Sequence, residues 1–253
     1  MVRKYKKSLG QNFLRDDLML DKISSSINLS SCKKIIEIGP GDGALTRNLL
    51  AHNLPVTVVE YDRDLIPKLQ GKFSDFHNFS ILNEDILKVD LQHLSDKNSV
   101  IVGNLPYNIS SQIILKLLES RVEYRSATFL IQKELAQRFC TSSKKSTKIS
   151  LLAHFFTDIE LLFDVSPDAF VPQPKVTSTL IRVSPHQRNI ERLEQYLELK
   201  KILESCFANP RKQIKKSLTQ LGIRSEKLSF ESSSRPDDLA LQDYFEILDI
   251  SEK

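Results

Sequence analysis

Asn104-Leu105-Pro106-Tyr107 is the stretch of this chain best suited to chemistry. It follows Val100-Ile101-Val102-Gly103, an apolar run that reads as a buried strand. An Asn-x-Pro-aromatic turn at the carboxyl end of a strand gathers an amide oxygen, a backbone carbonyl and a ring around one small space. Pro106 has no amide hydrogen, so the local backbone is rich in acceptors. Two acceptors can take the two hydrogens of a planar exocyclic amine such as adenine N6, and the ring can stack on the base. Alone, the tetrapeptide is also an ordinary turn, because Asn and Pro are common turn residues.

A second candidate region lies upstream. Lys33-Lys34-Ile35-Ile36-Glu37-Ile38 reads as a strand, Gly39-Pro40-Gly41-Asp42-Gly43 as a turn, and Ala44 to Leu50 as a helix. Strand, glycine turn and helix open a nucleotide-binding α/β unit. The spacing is not that of the dinucleotide fingerprint, since the third Gly comes one residue early. No Gly-Lys-Ser/Thr follows, which disfavours a phosphate-cradling loop. The next apolar run, Val56-Thr57-Val58-Val59, ends in Glu60, a carboxylate placed to accept both hydroxyls of a ribose. Ser80-Ile81-Leu82 is followed by Asn83-Glu84-Asp85-Ile86, and Asp85 can accept from an adenine amino group or cap a local turn. Four successive strand ends thus carry a glycine turn, a ribose-type acid, an adenine-type acid and the Asn-Leu-Pro-Tyr turn. They belong at the carboxyl edge of one parallel sheet.

That order resembles S-adenosylmethionine-dependent methyltransferases and not hydride-transfer dehydrogenases. Further motifs narrow the resemblance. They are Lys7-Ser8-Leu9-Gly10-Gln11-Asn12-Phe13-Leu14, Glu37-Ile38-Gly39-Pro40-Gly41, Gly103 to Ser110, Gln132-Lys133-Glu134 and Phe170-Val171-Pro172-Gln173-Pro174-Lys175-Val176. In this order they closely resemble the ribosomal RNA adenine N6,N6-dimethyltransferases, in the branch that modifies two adjacent adenosines near the 3′ end of small-subunit RNA. The resistance enzymes that methylate large-subunit RNA and related mitochondrial transcription factors share much of the pattern.

The resemblance implies S-adenosyl-L-methionine as cofactor. It places Asn12 and Leu14 over the methionine end and the Gly39 and Gly41 backbone beside the cofactor. It gives Glu60 the ribose, Asp85 the adenine amine, Ile86 and Tyr61 the adenine ring, and Asn104 the region beside the sulfonium. Asn104 Oδ1 and the Pro106 carbonyl then hold the two N–H bonds of the target amine, with Leu105 completing the turn. Tyr107 stacks on one face of the base and Phe170 on the other. The residue-level alternative for Phe170 is a core aromatic beside a rigid proline turn. A base inside folded RNA must be flipped out or unpaired to reach such a pocket.

The chain has 253 residues, 40% hydrophobic and 27% charged, enough for one large or two unequal domains with a sizeable core. No apolar run reaches the length of a membrane span, and no apolar signal region follows the basic first residues. Cys32, Cys140 and Cys206 are widely separated, which argues against a disulfide framework, and the five histidines show no metal spacing. The expectation is a cytoplasmic monomer with no metal. Net charge is +4, which a solvated surface would explain. The clusters say more: Lys6 and Lys7 with Arg3 and Lys4; Lys144, Lys145 and Lys148; and Arg211, Lys212, Lys215 and Lys216. The third cluster reads as a helix with Asn209 as N-cap and Pro210 at its first position, so that Arg211 and Lys215 share a face. Together with an adenine-type pocket the clusters suggest an RNA backbone track; the resemblance implies small-subunit ribosomal RNA within a pre-ribosomal particle as the partner.

Strands are predicted near residues 34–38, 56–60, 79–82, 99–103, 127–132, 158–163 and 176–183, with helices between most of them. The fold class is α/β: a Rossmann-like methyltransferase sheet of about seven strands and a small C-terminal helical domain. By resemblance the last strand is antiparallel. Residues 1–185 form the methyltransferase domain with its N-terminal arm. Residues 186–253 form the helical domain, with Leu193, Leu197, Ile202 and Phe207 among its apolar positions. Two departures from the family stand out. Ser146-Thr147-Lys148 replaces a frequent Tyr-Gly-Arg, and Pro210 stands where Arg is frequent. The competing classes are the large-subunit resistance enzymes, a non-catalytic RNA-binding assembly factor, and a small-molecule N-methyltransferase. The last leaves the basic clusters unexplained.

Overall fold

A computed structural model describes residues 11–120, 122–140, 145–186 and 193–251. The strands are β1 (Phe13–Leu14), β2 (Lys34–Ile38), β3 (Val56–Val59), β4 (Phe79–Leu82), β5 (Ser99–Asn104), β6 (Ser126–Gln132), β7 (Thr157–Val165), β8 (Phe170–Val171) and β9 (Ser178–Pro185). The helices are α1 (Asp17–Ser25), α2 (Ala44–Leu50), α3 (Ile66–Lys72), α4 (Leu91–Leu94), α5 (Ser110–Glu119), α6 (Lys133–Phe139), α7 (Lys148–Phe156), α8 (Leu193–Phe207), α9 (Lys215–Gln220) and α10 (Leu241–Ser251). All seven strands expected from the sequence are present, with ends shifted by up to two residues.

Seven strands form one sheet in the order β4-β3-β2-β5-β6-β9-β7. β2 through β6 pair in parallel, and β9 runs antiparallel to β6 with Leu180 opposite Leu130. The order reverses at β2, where β3 and β5 lie on either side. In doubly wound sheets such a switch point opens a crevice at the carboxyl edge. Central strands here read as continuous apolar runs because they are covered on both faces. Ile35, Val56, Val58, Val100, Val102, Leu130 and Leu180 meet Leu20 and Ile23 of α1, Ile27 just after it, and Leu45, Leu49 and Leu50 of α2 in one buried cluster. A second, two-stranded sheet pairs β1 with β8, placing Leu14 opposite Phe170.

The chain divides into two compact units. The first runs to Ala136 and resumes at Glu160–Pro185; the second takes Gln137–Ile159 and everything from His186. The expected boundary at residue 185 therefore captures only part of the second unit. The physical reason is an aromatic core. Phe155 and Phe156 of α7 lie 5.8 and 4.6 Å from the Tyr196 ring of α8, and Phe155 lies 5.7 Å from Phe245 of α10. On α8, Tyr196, Leu199, Ile202, Leu203 and Cys206 form the buried stripe at helical spacing, whereas Leu197, one of the apolar positions named from the sequence, is 47% exposed. The departure at Ser146-Thr147-Lys148 has a local role: Thr147 is the N-cap of α7 and forms a reciprocal capping box with Ser150.

Candidate functional site

The carboxyl ends of β2, β3, β4 and β5 and the segment from Gln11 to Leu14 line one cavity of about 300 Å³. Asn12, Leu14, Gly39, Gly41, Glu60, Tyr61, Asp85, Ile86, Asn104, Leu105, Pro106 and Tyr107 all lie on its wall. The expected cofactor residues and the Asn-Leu-Pro-Tyr turn are thus brought together.

At the glycine end, Gly41 has a φ of +60°, and a Cβ there would lie 2.8 Å from the Phe13 ring. Only glycine gives both the left-handed turn and the close approach of the arm. Its N–H donates to Glu60 Oε2 (3.3 Å), and the Asp62 N–H donates to Glu60 Oε1 (2.7 Å). Burial pushes the Glu60 carboxyl up to about 6, while those two donors pull the other way. Each oxygen keeps a lone pair for a further donor, so this group can accept two vicinal hydroxyls. Asp85 Oδ1 accepts from the Leu87 N–H at 3.0 Å, a local turn that fixes the carboxylate. The two readings of Asp85, turn cap and ligand acceptor, are therefore compatible: one oxygen does the first and the other is left for the second. Ile86 is buried at the wall, whereas the Tyr61 ring is 62% exposed.

At the other end, Gly103 lets β5 approach β2, because a Cβ there would lie 2.6 Å from the Ile38 carbonyl. Asn104 Nδ2 donates to the Asn12 carbonyl at 2.9 Å. With the nitrogen engaged by the arm, Oδ1 is the acceptor the side chain has left to offer. The Pro106 carbonyl does not fill its expected role. It already accepts from the Ser110 hydroxyl (2.7 Å) and the Ile109 N–H (3.1 Å), closing the turn into α5. The Leu105 carbonyl receives no donor from the described residues, while the Leu105 N–H is tied to the Leu130 carbonyl at 3.1 Å. Among the described residues, the open backbone acceptor of this turn is therefore the Leu105 carbonyl.

Phe170 departs from its expected place beside the target base. It is 2% exposed, belongs to the main core cluster, and does not line the cavity. Pairing of β8 with β1 turns its side chain inward, so the core-aromatic alternative describes the structure. Its neighbour Val171 is exposed instead.

Three cavity-lining or cavity-supporting residues were not singled out by the sequence. Glu37 is buried beneath the cavity and accepts from Thr46 Oγ1 at 2.6 Å. Burial pushes its carboxyl up to about 8; the Thr46 bond opposes this and the nearby Glu60 charge adds to it. An acid inside an apolar strand was the available signal. Thr128 of β6, paired with Arg182 of β9, has a buried hydroxyl with no hydrogen-bond partner among the described residues. Ser178 lies behind the wall and bonds Tyr107. Neither had a local signal.

The basic clusters fare unevenly. Lys6, Lys7 and Lys144 lie outside the described residues. Lys145 pairs with Asp237 (2.7 Å) and Asp238 (3.7 Å), and Lys148 with Glu204 (3.3 Å). Arg211, Lys212, Lys215 and Lys216 are exposed, with no acidic partner among the described residues. They do not share one helix. The Lys212 N–H donates to the Asn209 carbonyl (2.9 Å) in a turn, and α9 begins only at Lys215. The Ile214 and Lys215 N–H groups bond the Ser234 and Ser232 carbonyls, which holds the chain off the helical path before that point.

Sheet order, switch-point cavity and strand-end residues define a Rossmann-like methyltransferase. The Plasmodium falciparum dimethyladenosine transferase structure superposes with a TM-score of 0.78 at 22% identity, covering 93% of this chain and 95% of that one. The 23S rRNA methyltransferase ErmE gives a TM-score of 0.73 at 23% identity over 96% and 100%. The chain belongs to the ribosomal RNA adenine dimethylase family, whose pattern matches residues 2–253. Among similar proteins is the ribosomal RNA small subunit methyltransferase A of Marinobacter nauticus, 37% identical over 97% of this chain and 91% of the relative. The protein of the same name from Hahella chejuensis is 36% identical over 96% and 92%. The chain is an rRNA adenine dimethyltransferase.

Proposed function

We propose that this protein transfers two methyl groups to N6 of each of two adjacent adenosines near the 3′ end of small-subunit ribosomal RNA, using S-adenosylmethionine, late in assembly of the particle. The observation that carries the reading is the juxtaposition of Asn104 and the Leu105 carbonyl with Glu60 and Asp85 on one cavity wall. The names of the relatives support the small-subunit substrate.

The residues fit this cofactor. Glu60 has the acceptor pattern for a ribose diol, Asp85 keeps one oxygen for an amine, and Ile86 supplies an apolar face. A Cβ at Gly41 would push on the arm segment that carries Asn12. Bound S-adenosylmethionine supplies a methyl group already activated on a sulfonium. The chain's task is the nucleophile. The N6 lone pair of adenine is delocalised into the ring, and acceptors at Asn104 Oδ1 and the Leu105 carbonyl draw both N–H bonds out of plane. They stabilise positive charge as it develops on nitrogen, so they act most strongly in the transition state. Tyr107 holds the base by stacking, an orientation term. No strong general base is required, since the proton leaves after transfer. The exposed Arg211, Lys212, Lys215 and Lys216 supply phosphate contacts.

The test incubates the protein and labelled S-adenosylmethionine with small subunits lacking the modification, in parallel with naked large-subunit RNA. Nucleoside analysis should find dimethyladenosine in the small subunit alone. Label confined to large-subunit RNA would overturn the substrate assignment, and label in neither would overturn the catalytic reading.

A further inference from the structure

Tyr107 and Ser178 meet through their hydroxyl oxygens at 2.6 Å. Ser178 is fully buried, opens β9, and does not itself line the cavity. Its position is set by the sheet. Gln132 of β6 lies across from it, and the Thr177 carbonyl just before it accepts from the Lys133 N–H at 2.9 Å. Resting on the reading above, we propose that Ser178 is a positioning residue for methyl transfer: its hydroxyl anchors the far end of the Tyr107 side chain and so sets where the ring meets the target adenine.

The geometry makes the anchor directional. The phenol oxygen lies on the χ2 axis, so a bond to it restrains χ1 and leaves ring flips free. What it fixes is the direction in which the ring points from the turn. Turn residues alone do not fix this, because Tyr107 stands on an irregular segment before α5 and is half-buried. Burial also raises the Tyr107 phenol, which keeps its proton available to the bond. The effect should be uneven across the two transfers. In the first, the amine presents two N–H groups to Asn104 Oδ1 and the Leu105 carbonyl. In the second, one hydrogen has been replaced, so one acceptor loses its partner and stacking carries more of the orientation. Loosening the ring should therefore harm the second transfer more than the first.

The test compares Ser178→Ala, Tyr107→Phe, the double variant and Ser178→Thr on small subunits lacking the modification. The measurements are kcat, KM for the particle, cofactor affinity, thermal midpoint and the ratio of monomethyl- to dimethyladenosine. Each single variant should lower kcat about tenfold, raise the monomethyl share and leave cofactor affinity within about twofold. The double variant should match the weaker single within about twofold, because both remove one bond. Ser178→Thr, which keeps the hydroxyl, should recover most of the rate. Multiplying losses in the double variant, or a wild-type product ratio in both singles, would overturn the inference while leaving the proposed function intact. A wild-type protein that labels no small subunit overturns the proposed function and this inference with it.

Discussion

Glu60, at the glycine end of the cavity, takes its hydrogen bonds from Asp62 and Gly41, two and nineteen residues away. At the other end, Asn104 and Tyr107 are held by Asn12 and Ser178, 92 and 71 residues away. One end is organised by its own motif and the strand next to it. The other is assembled from segments that only the finished fold brings together. The first should tolerate distant changes and fail locally. The second should fail whenever the arm or β9 shifts.

The sharpest way to break this contrast is Asn104→Ala. Removing an acceptor that acts in the transition state should cost about 10²–10³-fold in kcat, with cofactor affinity held within about tenfold, the worth of one hydrogen bond. Unchanged turnover in a single-turnover assay would remove Asn104 from the mechanism. Glu60→Ala should do the reverse, weakening cofactor binding about 10²-fold by calorimetry. The acid adds a pH signature. With its carboxyl at about 6, cofactor affinity should be full above that pH and fall below it as the carboxylate is protonated. Glu60→Gln should flatten the profile. Replacing Arg211, Lys212, Lys215 and Lys216 together with Ala probes neither end. It should reduce the slope of log affinity against log salt for the particle by about 3, at roughly 0.7 to 0.9 per phosphate. An unchanged slope would discard those four as phosphate contacts. The last effect, on stability and not on turnover, concerns Glu37. Its carboxyl rises from an unfolded value near 4.5 to about 8 in the fold. Its contribution to stability is therefore fully present below 4.5 and is lost as pH rises through 8. Glu37→Gln should abolish that loss, making the variant relatively more stable at pH 9 than at pH 5. Parallel melting curves for the two proteins over this range would contradict it.

The same contrast explains what the sequence disclosed. The strands, the glycine turn, Glu60, Asp85 and the Asn-Leu-Pro-Tyr turn are local patterns, and each was found where it was expected. Phe170 was misplaced because the side of β8 that faces inward depends on its pairing with Leu14, more than 150 residues upstream. The Pro106 carbonyl was misassigned because its donors, Ser110 and Ile109, belong to the entry into α5 and not to the turn itself. The N-cap reading at Asn209 followed sound local rules and lost to bonds that the Ile214 and Lys215 N–H groups donate to the Ser234 and Ser232 carbonyls. Lys145 and Lys148 read as free cations because Asp237 and Glu204 lie far along the chain. In every case but Pro106, whose donors lie three and four residues on, the missing information was a partner distant in sequence.

β9 occupies an inner position of the sheet, between β6 and β7, although it is the last strand among the described residues. A ribosome delivers the chain in order, so β7 cannot join β6 through the sheet until β9 has emerged to fill the gap. The glycine end can form early in synthesis from β2 to β5, whereas the anchor for Tyr107 arrives only with Ser178. A nascent or prematurely terminated chain would thus gain a grip on its cofactor before it could act on a base. Late insertion of a non-local strand is also a slow step with exposed edges. Completion of the sheet and anchoring of the Tyr107 ring are thus one event in the building of this chain.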